Sequence, residues 1–342
     1  MQKFLALLIC VASFLSVPAQ DADVVGSATT FINALTAEQK KKAVFPFDTE
    51  ERYNFHFVPR NDWKGISINE MDTAQRAALF TLLKASLSAE GYSRVQSIIS
   101  FEILLKQIEK RAADDHYRDP GNYYLSIFGM PSEKGIWGWR FQGHHLSFTF
   151  AADQNTIVSG TPGFIGSNPG VVLDGPQKGL VVLKDETDKA YLLVNSLTRD
   201  QLRKAIFDTA ALPEIITLDN RKAIINDSRG ILYTELTMRQ QHLMLDLLSV
   251  YIHRYTKLFA DEMMRDIHDA GLNNLRFAWA GSTKQGPGHP NYYRLIGPSI
   301  IIEFDNTQGN GNHFHTVVRD LKNDFGGDEL LEHYRKSHGA AQ

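Results

Sequence analysis

The sequence predicts an α+β protein of two weakly similar halves, each a set of amphipathic helices followed by antiparallel strands, with the functional site between them. Three observations predict it. Leu35-Thr36-Ala37-Glu38-Gln39-Lys40-Lys41-Lys42-Ala43-Val44-Phe45 lays onto Leu197-Thr198-Arg199-Asp200-Gln201-Leu202-Arg203-Lys204-Ala205-Ile206-Phe207, and most positions match in identity or charge. Gln75 with Ala78, Leu79, Phe80, Leu82 and Leu83 then lines up with Gln240, Leu243, Met244, Leu245, Leu247 and Leu248, apolar at helical spacing in both copies. Finally, Trp139-Arg140-Phe141-Gln142-Gly143 falls on Tyr293-Arg294-Leu295-Ile296-Gly297, each ahead of a strand-like run, Leu146 to Phe150 and Ile300 to Phe304. The same order twice predicts a duplication. It divides the chain at about 21–185 and 190–342, with the Gly- and Pro-rich stretch 160–179 as loops near the join. A cleft between two such halves is the natural place for a ligand.

Composition limits the function. Of 342 residues, 36 are basic and 39 acidic, a formal charge of −3 that argues against a nucleic-acid binder. With 43% hydrophobic and 22% charged residues the chain has a core of its own, which excludes a disordered or fibrous protein. Met1-Gln2-Lys3 followed by the apolar run Phe4 to Val17 and by Val17-Pro18-Ala19 reads as a secretory signal peptide over residues 1–19. The expected mature chain is exported, periplasmic or extracellular, and lacks a cysteine, since Cys10 lies in the leader. Disulfides and thiolate metal sites are then excluded, and no other stretch is long enough to span a membrane. Neither a glycine-rich phosphate loop nor a Gly-x-Ser-x-Gly elbow occurs.

The chemistry gathers at the histidines. Ser299 to Asp305 and His313 to Asp320 read as two strands around the Gly/Asn-rich turn 306–312, a hairpin signature. With the turn centred near Gly309, Asp305 is expected opposite His313 and Glu303 opposite His315. Alternate residues of a strand share a face, so Glu303, Asp305, His313 and His315 are expected to project together. Imidazoles two apart converge on one metal ion, and carboxylates complete the set or orient the rings. A second cluster, His144-His145, follows Gly143 between two strand-like runs. Neighbours on a regular strand point apart, so a turn is needed there, and the pair is expected to give one ligand and one partner. If the strands of the two clusters run antiparallel across a pseudo-twofold axis, the start of one lies beside the end of the other and the clusters join. His289, held between Gly288 and Pro290, is a third contributor, as ligand or substrate contact. Arg140, Arg294 and Arg319 are candidates for an anionic substrate because guanidinium offers a fixed fork of donors. A salt bridge from Arg319 to Asp320 or Asp324 fits the same spacing. Trp137, Trp139, Tyr292 and Tyr293 are read as an aromatic wall.

At Trp137-Gly138-Trp139-Arg140-Phe141-x-Gly143-His144-His145, at Glu303-x-Asp305-Asn306-Thr307-Gln308, and from Asn312-His313-x-His315-x-x-x-Arg319-Asp320 to Asp324-Phe325-Gly326, the chain resembles domain-of-unknown-function family 3500. The likeness runs over nearly the whole mature chain. The family's turn after the Thr-Gln pair often carries an asparagine where this chain has Gly309. The resemblance implies an exported protein of one repeated architecture and brings no catalytic assignment.

The expected function is a mononuclear metal-dependent enzyme, hydrolytic or redox, on a small polar or anionic substrate. His144 or His145 joins His313 and His315 around zinc or copper, with Glu303 or Asp305 as ligand, partner or general base. A non-catalytic metal- or small-ligand-binding protein uses the same residues, and a metal-free acid/base hydrolase acting on a sugar or peptide is a third reading. Partners are limited to a small molecule, with no nucleic acid or membrane, and the oligomeric state stays open.

Overall fold

A computed structural model describes residues 23–132 and 134–327. The predicted signal peptide, and His333 and His338 near the C-terminus, lie outside the described residues. The chain begins with α1 (Val24–Ala34), α2 (Ala37–Ala43), β1 (Val44–Phe45), β2 (Ile66–Ser67), α3 (Thr73–Ser86) and α4 (Ala89–Ile108). Strands β3 (Tyr123–Phe128), β4 (Ile136–Gly143), β5 (Leu146–Asp153), β6 (Thr156–Ser159) and β7 (Gly163–Ser167) follow. Then come α5 (Lys184–Ser196), α6 (Arg199–Ala205), β8 (Ile206–Asp208), β9 (Ile231–Leu232), α7 (Met238–Ile252) and α8 (Lys257–Asp269). The chain closes with β10 (Arg276–Gly281), β11 (Asn291–Ile296), β12 (Ile300–Asp305) and β13 (Phe314–Asp320).

The matched segments are built alike. Thr36 and Thr198 each cap a helix in a reciprocal box with the glutamine three residues on, Gln39 and Gln201. Gln39 bonds Gln75, which donates to the Ala34 carbonyl, whereas Gln201 bonds Gln240, which donates to the Ser196 carbonyl. Lys42 pairs with Glu70 and Lys204 with Glu235. The matched residues therefore form a joint, tying the helix pair α1 and α3, or α5 and α7, to the start of the next strand.

All thirteen strands among the described residues join one mostly antiparallel sheet, in the order β1-β3-β4-β5-β7-β13-β12-β11-β10-β8, with β2 on β3, β6 on β5 and β9 on β10. Only β1 with β3 and β8 with β10 run parallel. The alternation of strand residues divides the sheet into two faces. One carries Trp137, Trp139, Phe141, Phe148, Tyr293, Leu295 and Phe304, which merge with the apolar stripes of the helices into the main core. The other is covered by two long loops, 46–65 and 209–230, over a smaller apolar cluster of Phe55, Phe57, Phe164, Ile215, Val317 and Phe325.

Two expectations are corrected. The stretch 160–179 is not all loop, because Gly163–Ser167 forms β7, which pairs with β13 at the centre of the sheet. Its glycines admit large neighbours: a Cβ on Gly163 would lie 2.2 Å from the Tyr255 hydroxyl oxygen. The β12–β13 register is also two residues away from the one read off the turn, with Asp305 opposite His315 and Glu303 opposite Val317. The turn absorbs the difference. Gly309 and Asn310 are both left-handed, and Asn312 leaves the ladder to bond Val171.

Candidate metal centre

Four neighbouring chain segments form one row across the middle of the sheet. The His145 carbonyl accepts from the Gly166 amide, Gly166 is opposite His315, and His315 is opposite Asp305. The strands β5 and β12 that follow or contain these positions run antiparallel with β7 and β13 between them. His144 and His145 form the two-residue turn between β4 and β5, and His145 takes a left-handed φ of 63°. Such a backbone is unusual for a side chain with a Cβ. It aims the imidazole along the row, above Gly166. A Cβ on Gly166 would lie 2.6 Å from His145 Cδ2, so only glycine leaves His145 and His315 free to meet over the strand between them.

Three ring nitrogens meet there. His145 Nε2 is 2.6 Å from His313 Nε2 and 3.3 Å from His315 Nε2, and the last two are 3.1 Å apart. On the far side of its ring, His315 Nδ1 lies 2.8 Å from both carboxylate oxygens of Glu214. A donor is required toward a carboxylate, so the proton sits on Nδ1 and Nε2 presents its lone pair to the other two rings. Burial, with the neighbouring His144, His315 and His313 adding to it, holds His145 well below the usual imidazole range. Burial and His315 likewise bring His313 down to about 3. Both rings are neutral at pH 7. With the other two rings also protonated at Nδ1, three lone pairs would converge at these distances and repel one another, and a cation would relieve that repulsion. Nitrogens at about 2.0–2.1 Å from a tetrahedral ion are themselves about 3.3 Å apart, so the triangle is close to the size such an ion needs. The three histidines could hold one metal ion.

The surroundings are dry on one side and wetter on the other. Phe57 and Phe164 stack at 3.9 Å and set ring edges against His315, which is 3% exposed. His313 is only half-buried. The His144 ring lies against that of His145, with centroids 3.8 Å apart and planes 31° from parallel, and its Nδ1 is 2.5 Å from Glu102. Asp305 lies behind His315, grouped with Glu214, and accepts from the Thr307 hydroxyl and amide. Burial pushes its carboxyl up to about 7, against the lowering pull of the Thr307 hydroxyl.

The remaining sequence candidates lie elsewhere. Glu303 spends its carboxylate on the Ile216 and Thr217 amides, the Thr217 hydroxyl and the Tyr292 hydroxyl, which fastens loop 209–230 to the sheet. Arg140 donates to the Glu51 carbonyl and side chain, Arg294 to Asp227 and the Arg229 carbonyl, and Arg319 to Asp324 and the carbonyls of Asn220 and Arg221. The three guanidinium groups are buried and anchor the covering loops through backbone carbonyls, while Arg140 Nε, Arg294 Nε and Nη1, and Arg319 Nη1 meet no acceptor among the described residues. Trp137 and Trp139 are fully buried on the helix-facing side, and Tyr293 with them, while Tyr292 is buried beneath loop 209–230 against Glu303, so the predicted aromatic wall does not form. His289 lies on the β10–β11 loop against Gly311, outside the triad. Sequence reasoning missed Glu214, Glu102 and Arg118, whose guanidinium lies 2.9 Å from His144 Nδ1 and pairs with Glu109. Glu214 in Leu212-Pro213-Glu214 carries no periodicity or spacing that could have found it.

The model of the family described as a protein of unknown function, DUF3500, matches residues 18–327. The chain belongs to the DUF3500 family. No curated protein and no solved structure matches it. In this DUF3500 chain the long motifs fall on both faces of the sheet. Their histidines make the triad, and their arginines and Glu303 hold the loops that enclose it. No helix among the described residues is long and apolar enough to cross a membrane.

Proposed function

We propose that this protein is an exported metal-dependent enzyme in which His145, His313 and His315 bind one divalent ion. The observation that carries the reading is the convergence of three Nε2 atoms with one ring's tautomer set by Glu214. Among the described residues, the mutually close ligand atoms around this point number three. Three protein ligands and a remaining position are the arrangement of catalytic rather than structural sites. This favours an enzyme over a storage protein. Zinc bound there lowers the pKa of water for hydrolysis, and copper supplies redox chemistry. The protein's own share is to keep two imidazoles neutral, to fix the third through Glu214, and to exclude water on the Phe57 and Phe164 side. Asp305, behind His315, serves the ring's electrostatics rather than acting as a ligand.

The recurrence of joints, helices and strand order on the two sides of the β7–β13 pair supports a duplicated ancestor, with the site beside its pseudo-twofold axis. The short basic start and apolar run of residues 1–19 support export, and the balanced charge supports a small-molecule partner.

Elemental analysis of untagged protein is the test. About one equivalent of metal is expected in the wild type and less than about a tenth of that in the H313A/H315A double variant. Equal content in both, or none in the wild type after growth with zinc and copper, overturns the reading.

A further inference from the structure

A cleft of about 320 Å³ opens beside the triad, on the outer side of His144. Its size is at the small end of ligand pockets, roughly 300–1,000 Å³. Trp63, Tyr117 and Tyr124 line it together with Arg60 and Asn61. Trp63 lies along Tyr124 with ring centroids 6.0 Å apart and planes 22° from parallel. These aromatic residues are half-buried or exposed, unlike the tryptophans of the core. None of them takes part in the centre described above. His144 lines the cleft, and its ring lies against that of His145 with centroids 3.8 Å apart and planes 31° from parallel, so one imidazole separates a molecule in the cleft from the triad.

The cleft's charges are already spent. Arg60 holds Asp62 through two hydrogen bonds of 2.7 Å and donates to Asn54. His116 stands 3.6 Å from Asp119, and His144 is paired with Glu102. No free guanidinium fork faces an anion, and the three arginines that the sequence offered for that purpose are bound to loops. What is left for a ligand is the surface of Trp63 and Tyr124, the Asn61 amide, which both donates and accepts, and the outer hydrogens of Arg60, because the Asn122 amide already meets Asn69 and the His116 carbonyl and the Tyr117 ring is flanked by Arg111 and Arg118. We infer that this cleft binds a neutral saccharide, whose ring presents an apolar face to an aromatic side chain and hydroxyl groups to the Asn61 amide. The inference rests on the proposed function in one respect: the cleft is taken as the substrate's place beside the metal centre.

Calorimetric titration of the full mature chain with cellobiose, maltose, lactose, xylobiose and chitobiose tests it, with glucuronic acid and glucose 6-phosphate as anionic comparators. At least one neutral disaccharide is expected to bind and to quench tryptophan fluorescence. Both effects weaken tenfold or more in Trp63→Ala and measurably in Asn61→Ala, an exposed position whose change leaves packing untouched. Thermal melts establish that each variant is folded. The H313A/H315A variant is expected to lose metal and keep its saccharide affinity, so failure of the metal reading is seen separately. Binding by none of the neutral sugars, preference for the anionic probes, or wild-type affinity in both Trp63→Ala and Asn61→Ala overturns the inference.

Discussion

At the scale of single residues, the centre depends on two that are not ligands. Glu214 fixes the proton of His315 from the far side of the ring, and loss of such a partner typically weakens metal binding 10- to 100-fold. Glu214→Gln is therefore expected to retain the fold, bind metal about tenfold or more weakly, and show this in competition with a chelator. An unchanged affinity would remove Glu214 from the site. Gly166 is the second. An alanine there meets His145 Cδ2 at 2.6 Å, and the ring cannot withdraw without leaving the triad. Gly166→Ala is expected to destabilise by about 1–3 kcal/mol, the usual cost of overpacking, and to lose metal together with stability. The histidines of the triad were legible in the sequence and their supports were not. His-x-His before a strand and an adjacent His pair at a glycine are local patterns, whereas Glu214 and Gly166 acquire meaning only through strand neighbours far along the chain.

At the scale of elements, the covering loops decide the site. Of the four residues that strand alternation put on one face, Glu303, Asp305 and His315 lie there, while His313 precedes β13, and that face is roofed by loops 46–65 and 209–230 rather than open to a substrate. Neither loop has a hydrophobic period, so a roof was not to be expected, and buried arginines looked like free ones. Their donors satisfy carbonyls that a loop, lacking a ladder, cannot pair internally. Glu303 is the corresponding acceptor for amides just after Glu214. The consequence separates two roles. If Glu303 positions the loop, Glu303→Gln loosens residues 212–217, speeds their hydrogen exchange and lowers metal affinity through Glu214. If it were a general base, turnover would fall with metal affinity and exchange unchanged. The first result is expected.

At the scale of the whole molecule, the buried acids and bases of the centre give the metal-free protein a pH dependence with opposed contributions. His313 titrates at about 3 in the folded chain against 6.5 in its ordinary setting, and His145 is also depressed. Between these values the unfolded state holds more protons, so both histidines make stability rise with pH up to about 6.5. Asp305 does the reverse. Its folded value of about 7 against 3.8 means that the folded state keeps a proton which the unfolded state has lost, and stability falls as pH rises from about 4 to about 7. Asp320, pushed by burial up to about 6, adds to that fall over the lower part of the window. Because the contributions cancel, the wild-type profile alone says little, and a single removal exposes one of them. Asp305→Asn is expected to gain stability over the wild type by about 1.4 kcal/mol per pH unit between pH 5 and 6. His313→Ala is expected to change in the opposite direction by a similar slope. Urea unfolding of chelator-treated protein at pH 5.0, 5.5 and 6.0 measures both, and profiles parallel to the wild type would mean that these groups titrate normally in the folded chain. Sequence could place the histidines and carboxylates near one another. The sign of their effect on stability comes from burial, which the sheet, its helix layer and its loop roof impose together.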